Sequence, residues 1–345
     1  MCGAVLAAKD LLGDEPVLIF SSNDVVDKSA FELVRKAEGA DSFLLGKKVD
    51  KYFPGGYLKV KDDFIEGIVE KPGEGNEPSD LVNLVVHLHN NPQRLVEYME
   101  KVSSESDDLY EVALDNMIKD GVKMKAVEYD GFWQPIKYPW HIMKVWKYFM
   151  GAGNIHKSAQ IADSAVVKGD VIMEEGVKIF DNAVVMGPCY LGKNVVVATG
   201  ALVRESSVGA GSVVGFGTEV ARSYLGENVW LHSNYIGDSV IGNNVSFGAG
   251  SLTANLRLDE KDVSSGGSDV GANKFGAVIG DNVRVGVQSS LMPGIRVGGG
   301  SFIASGIVVG QDIEANSFVR GKWELKISEN KCNVAEMNRE NFKNE

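Results

Sequence analysis

From Asn154 onward, aliphatic residues recur at every sixth position: Ile155, Ile161, Val167, Met173, Ile179, Val185, Leu191, Val197 and Val203. Neither an α-helix, with its 3.6-residue period, nor an ordinary strand, with its period of two, carries that spacing. The period slips by a residue in places and resumes at Ile279, Val285, Leu291, Val297, Ile303 and Val309, often with Gly, Ala or Asp just after the aliphatic position. Each six-residue unit reads as a short flat strand plus a turn, and three units close one coil whose aliphatic side chains point into a prism. A lone coil buries nothing on its open sides, so coils must stack, and small residues let the corners turn tightly. The spacing therefore predicts a parallel β-helix of about eight coils over 154–320 once its interruption is set aside.

That interruption runs from Leu256 to Phe275. It carries Arg257, Asp259, Glu260, Lys261 and Asp262, then Ser264 to Gly267, with no six-residue period. It must loop out of the prism, and a long excursion from a regular solenoid is more often functional than not.

Before Met150 the pattern is mixed α/β. Strand-like runs occur at Pro16–Phe20, from Leu58 to Pro72, at Leu81–Leu88 and at Met124–Val127, and helix-like runs after Ser29, at Pro92–Val102 and around Leu109–Lys119. The organisation expected is an α/β unit over 1–150, a β-helix over 151–325 and a polar tail over 326–345, helical or disordered. The chain has 345 residues, ample for two domains with real cores. With 35 Lys plus Arg against 47 Asp plus Glu, the net charge is -12, which disfavours nucleic acid as a partner. No apolar run is long enough to span a bilayer and no secretory signal opens the chain, so a soluble, cytoplasmic protein is expected. Cys2, Cys189 and Cys332 are few, odd in number and far apart, as reduced thiols are.

Of the five histidines, His87, His89, His141, His156 and His232, only the last lies deep inside the repeats. It stands in Trp230-Leu231-His232-Ser233-Asn234-Tyr235-Ile236-Gly237-Asp238. A neutral imidazole suits removal of a proton from an ammonium group so that the amine can attack a thioester. From spacing alone, a lone histidine beside Trp230 is more often structural than catalytic. Arg204 and Arg222 are 18 residues apart (222 minus 204), about one coil, which could stack them on one face, though spacing alone favours two solvated surface charges. A γ-type carbonic anhydrase on such a scaffold would need three zinc-binding histidines, and the repeats offer only His156 and His232, about four coils apart.

Segment 154–322 resembles the acetyltransferase domain of the bifunctional sugar-1-phosphate nucleotidylyltransferase/acetyltransferases. The motifs that carry the resemblance are His232-Ser233-Asn234-Tyr235-Ile236-Gly237-Asp238, Gly248-Ala249-Gly250-Ser251-Leu252-Thr253-Ala254-Asn255 and Gly271-Ala272-Asn273-Lys274-Phe275. It implies a left-handed β-helix and a homotrimer with acetyl-CoA lying between neighbouring copies, against Ala249, Val287 and Ser305. Val287 departs from the family's small polar residue. The resemblance further implies His232 as general base, Tyr235 and Lys274 as ligands of the sugar phosphate, Asn255 on the amino sugar, and Arg204 and Arg222 on the phosphate. The acceptor it implies is an amino-sugar 1-phosphate, glucosamine 1-phosphate first, in UDP-N-acetylglucosamine synthesis.

The first half resembles the later part of the family's Rossmann-like nucleotidylyltransferase domain. Ser22-Asn23-Asp24 stands where a strand-end aspartate holds magnesium, and Gly67-Ile68-Val69-Glu70-Lys71-Pro72 where a glutamate binds the sugar. Gly56 and Asn83 are the further sugar contacts implied, and Trp133 to Trp140 matches the domain's closing turn. Two departures stand out. No Gly-rich loop with Arg and Lys opens the chain to cradle nucleotide phosphates, so that roughly 70–80 residues of the domain are expected to be missing and the nucleotidyl half to be incomplete. The closing turn has Gln134-Pro135-Ile136 where a second metal-binding aspartate belongs, and proline offers no side-chain oxygen to Mg²⁺. The expectation is an N-acetyltransferase, with Mg²⁺ needed only if nucleotidyl transfer is retained. The alternative is a non-catalytic trimeric assembly or sugar-phosphate-binding regulatory subunit.

Overall fold

The computed structural model describes residues 1–105, 108–321 and 327–329. Asn330–Glu345, the tail read as helix or disorder, lies outside the described residues. The first half comprises α1 (Cys2–Ala7), β1 (Val17–Phe20), β2 (Asp24–Val26), α2 (Lys28–Lys36), β3 (Ser42–Lys48), β4 (Gly56–Lys61) and β5 (Phe64–Glu70). It continues with β6 (Leu81–His89), α3 (Pro92–Met99), α4 (Leu109–Lys119), β7 (Met124–Glu128), β8 (Trp133–Pro135) and α5 (Ile142–Phe149). Six strands form one sheet in the order β1-β6-β3-β7-β5-β4, while β2 and β8 pair separately. Only β3 and β7 run parallel within it.

Helix starts follow local chemistry. Asp27 accepts the Ser29 N–H at the start of α2, and Asn91 accepts from Arg94 with Pro92 opening α3. Helices α3 and α4 cover one sheet face through Leu95, Met99, Leu114 and Met117 against Leu44, Leu58 and Ile68. Ala30 and Val34 of α2 pack on the other face against Leu45, Tyr57, Val82 and Val86. The single run expected from Leu58 to Pro72 is a hairpin, because Asp62 and Asp63 take φ of 50° and 68° and reverse the chain.

From Asn154–Ile155 to Phe318–Val319 the chain is a solenoid with parallel faces of nine, eight and eight strands. The fold class is the one expected, α/β followed by a left-handed parallel β-helix. One face holds a rung more than the eight coils anticipated, because some coils are short. Val197 pairs with Val214 and Trp230 with Ser246, steps of 17 and 16 residues. These are the register slips seen in the sequence. Buried serine hydroxyls make the short steps affordable: Ser206 Oγ accepts the Ser223 N–H, Ser223 Oγ that of Ser239, and Ser239 Oγ that of Ala277. Each hydroxyl donates to the carbonyl two residues back, so none of these three hydroxyls is orphaned. The inward column of Val203, Val214, Val220, Leu231, Ile236 and Phe247 is fully buried.

The excursion 256–275 has internal order. Ser264–Ser265 pairs with Ser268–Asp269, Leu256 bridges Lys274, and Val263 and Phe275 are buried together with Trp140.

Candidate functional site

Three charged residues of the solenoid line up where its second face meets the third. Glu205, Arg222 and Asp238 occupy equivalent corners of successive coils, each in left-handed conformation (φ 49°, 47° and 48°) and each followed by one of the buried serines. The Arg222 N–H bonds to the Arg204 carbonyl and the Asp238 N–H to that of Ala221, so the corner residues form a vertical file. Arg222 grips Asp238 through two bonds, Nε to Oδ1 at 2.6 Å and Nη2 to Oδ2 at 2.7 Å. That carboxylate raises the pKa of the guanidinium. Asn255 Nδ2 donates to Tyr235 Oη at 3.1 Å and also to Asp238.

Tyr235 can reach this far because its ring lies over Gly237, where an added Cβ would stand 2.6 Å from Oη. Arg204 forms its own pair with Glu219 Oε1, at 3.0 and 2.7 Å, and Glu219 is the register neighbour of Tyr235. The register partner of Arg204 is Ala221, not Arg222, since the coil between them has 17 residues and not 18. The two arginines are therefore neighbours around a bend, each already held by a carboxylate, and not a superposed pair of free cations.

His232 sits at the opposite edge of the same face. Its main-chain N–H is held by the Asn234 side-chain oxygen, and the Asn234 amide donates to the carbonyls of Gly248 and Ser251, 2.9 Å each. Asn234 thereby fixes the turn that presents His232. The imidazole is exposed and has no hydrogen-bond partner among the described residues. Ala249, Val287 and Ser305 follow His232 up this edge: Ser246, Arg284 and Phe302 are register partners on successive coils, and each of the three lies three residues further on. All three are exposed. Lys274 is exposed beside Asn255, whose carbonyl accepts the Phe275 N–H at 2.8 Å.

The sequence-derived set thus divides into an edge with His232 and the Ala249 file and an edge with Arg222, Asn255 and Lys274, joined by Tyr235. Asp238, Glu219, Glu205 and Asn234 were not singled out from the sequence. A signal for Glu205 and Asp238 was there: each, like Arg222, is a charged residue followed by serine, at 205–206, 238–239 and 222–223.

In the first half, Gly56 and Glu70 are register partners, and a Cβ on Gly56 would meet Glu70 Oε2 at 2.9 Å and Asn83 Cβ at 3.6 Å, so these three do converge. Behind Asn83 runs a buried chain: Oδ1 to His87 Nε2 at 3.0 Å, His87 Nδ1 to Tyr110 Oη at 2.9 Å, Tyr110 Oη to His89 Nε2 at 3.1 Å and His89 Nδ1 to Ser42 Oγ at 2.8 Å. Burial lowers the pKa of both histidines, that of His89 to about 4.

Asp24 accepts the Trp133 indole N–H at 3.0 Å and lies across the ladder from Pro135. Burial raises its pKa, against smaller opposing effects of that hydrogen bond and of Lys137. A carboxylate facing an indole, an ammonium and a proline does not fit a hard divalent cation, which needs several oxygen ligands. Among the described residues no group of three or more His, Cys, Asp or Glu could hold a metal ion. No step through Mg²⁺ follows from these residues. No helix among the described residues is long and apolar enough to cross a membrane.

No family model matches the chain. A putative glucose-1-phosphate thymidylyltransferase from Bacillus anthracis is similar at a TM-score of 0.37 and 15% identity, over 45% of this chain and 63% of its own. The bifunctional protein GlmU of Methanocaldococcus jannaschii is 32% identical over 331 residues, which span 93% of this chain and 78% of that protein. A bifunctional sugar-1-phosphate nucleotidylyltransferase/acetyltransferase of Sulfurisphaera tokodaii is 31% identical over 92% of this chain and 79% of its own length. With that identity sustained across both halves, the chain belongs to the family of bifunctional sugar-1-phosphate nucleotidylyltransferase/acetyltransferases.

Proposed function

We propose that this chain transfers acetyl from acetyl-CoA to the amine of an amino-sugar 1-phosphate, with glucosamine 1-phosphate as the acceptor. The observation that carries the reading is the meeting of Arg222, Asp238, Tyr235 and Asn255 in one hydrogen-bonded group on the same prism face as the exposed His232 imidazole. In this reading His232 takes a proton from the acceptor ammonium, and the free amine attacks the thioester carbonyl carbon. The C–S bond breaks, the thiolate takes the second amine proton as the amide forms, and CoA leaves as the thiol. Arg222, Arg204 and Lys274 supply positive charge for the phosphate, and Tyr235 and Asn255 orient the sugar. Acetyl-CoA runs along Ala249, Val287 and Ser305, in a groove completed by a second copy of the chain, in a homotrimer of the cytoplasm.

The test is release of CoA thiol from acetyl-CoA with and without glucosamine 1-phosphate, beside His232→Ala. Acceptor-dependent release that the variant loses supports the reading. A folded protein that releases no thiol with any amino-sugar phosphate defeats it. One observation favours a second reading, a non-catalytic subunit: both arginines are already engaged by carboxylates. That reading predicts sugar-phosphate binding or trimer assembly with no turnover.

A further inference from the structure

The segment joining the two halves touches the acceptor edge of the solenoid at two places. It starts against the first half, with the Lys137 ammonium 4.4 Å from the Phe53 ring centre and donating to the Pro54 carbonyl at 3.2 Å. Tyr138 then stacks on Trp140, ring centres 4.6 Å apart and nearly parallel. Trp140 meets Phe275 edge to face at 5.6 Å, inside a cluster in which Val263 is 1%, Phe275 4% and Trp140 9% exposed. Farther along, Lys147 of α5 pairs with Glu205 at 3.3 Å, at the foot of the file that holds Arg222.

The excursion has little apolar surface with which to order itself. Its paired strands are two residues each, and Leu258 points fully into solvent. Val263 and Phe275 are its buried apolar side chains, and the large ring that covers them comes from outside it. Phe275 is one residue from Lys274, and its N–H is bonded to Asn255. Whatever fixes the Phe275 ring therefore fixes the base of the excursion, and with it the two side chains that flank the acceptor edge.

We propose that Trp140 is a positioning residue for acetyl transfer: it clamps Phe275 and Val263, and so sets Asn255 and Lys274 against Tyr235 and Asp238. The proposal rests on the acetyltransferase reading. It gives the first half a part in the reaction of the second, as the buttress from which Trp140 projects. It also predicts which substrate feels the loss. Asn255 and Lys274 lie at the acceptor edge, whereas Ala249, Val287 and Ser305 lie at the other, so acceptor binding weakens and acetyl-CoA binding does not.

The experiment compares the full chain with Trp140→Ala, Trp140→Phe and Phe275→Leu. Steady-state acetyl transfer should show the KM for glucosamine 1-phosphate rising by roughly ten- to a hundredfold in Trp140→Ala, with the KM for acetyl-CoA unchanged. Trp140→Phe, which keeps a ring in the cluster, should recover most of this, and Phe275→Leu should shift the same KM. Hydrogen–deuterium exchange, which needs no activity, should show faster exchange of 256–275 in Trp140→Ala and unchanged solenoid strands. Equal shifts in both KM values, or unaltered exchange of the excursion, overturn the proposal. If Trp140→Ala does not fold, Phe275→Leu and Trp140→Phe decide it by the same two readouts. A wild-type chain with no acetyl transfer sinks the functional reading, and the exchange result still decides whether Trp140 orders the excursion.

Discussion

The two halves solve the burial problem with contacts of very different reach. Away from the coil that carries the excursion, a strand of the solenoid meets its partner 16 to 18 residues on, as Gln160 meets Lys178 and Trp230 meets Ser246. In the first half, Val17 meets His89 and Ser42 meets Met124. A fixed offset writes the structure into the sequence as a period, and any side chain on the period is already placed in a column. Long, irregular offsets leave no such trace. The halves also bury different polar groups: the solenoid a file of serine hydroxyls bonded to main chain, the first half two histidines, a tyrosine and a serine in one connected chain.

Perturbing each half separately tests that contrast, and the largest effect expected is functional. His232→Ala should lower acetyl transfer about 10²–10⁴-fold while leaving thermal unfolding unchanged, since the imidazole is exposed and makes no hydrogen bond among the described residues. A fall in melting temperature of several degrees would instead make His232 a packing residue. Core truncation comes next. Leu231→Ala, in a fully buried rung, should cost about 2–5 kcal/mol in denaturant unfolding, and Ile155→Ala, 48% exposed on the end rung, well under about 1 kcal/mol. Equal costs would mean that the coils do not share one cooperative column.

The third effect is one of pH. His89 is neutral when folded, with its pKa lowered by burial to about 4 against 6.5 for the free side chain. Between those values the unfolded chain binds the extra proton, so stability is complete above about pH 6.5 and falls as pH drops toward 4, by roughly 3 kcal/mol in all. His87 shifts in the same direction. Exchange of the β6 amides should rise over that window before exchange of the solenoid amides does. Simultaneous loss would show one cooperative unit. The smallest effect is expected for Asp238→Asn, which keeps the shape but removes the charge facing Arg222. Folding stability should drop by about 1–2 kcal/mol, with the acceptor KM altered and the acetyl-CoA KM constant.

Legibility followed the same division. The hexapeptide period located the solenoid, its excursion and the slips that became 17- and 16-residue coils. What it did not show is that one residue fewer per coil moves Arg222 off the register of Arg204, or that Asp238 and Glu219 occupy both guanidiniums. Pairing of side chains across a corner depends on rotamers that a period does not encode. In the first half the central strand β3 went unread: Ser42 to Gly46 are all buried, but Lys47 and Lys48 follow directly, and the run has no alternation to mark it. The chain from Asn83 to Ser42 was equally hidden, because its members come from β6, α4 and β3 and meet only once the sheet has formed.

The left-handed corners carry a consequence for anyone selecting variants of this protein. Elsewhere in the solenoid such corners are often asparagine, as at 182, 194, 228, 244, 282 and 316, the residue other than glycine that tolerates this conformation best. At 205 and 222 the same backbone carries Glu and Arg, each at a disadvantage of about 1 kcal/mol relative to glycine, and at 238 it carries Asp, which tolerates it nearly as asparagine does. A library screened for heat resistance should therefore enrich glycine or asparagine at 205, where only a half-exposed ion pair with Lys147 is lost, whereas at 222 and 238 loss of the two-bonded Arg222–Asp238 pair offsets the gain. The winners would be sturdier rods with the foot of the charged file shaved off, and a thermal screen without an activity counter-screen would rank them first.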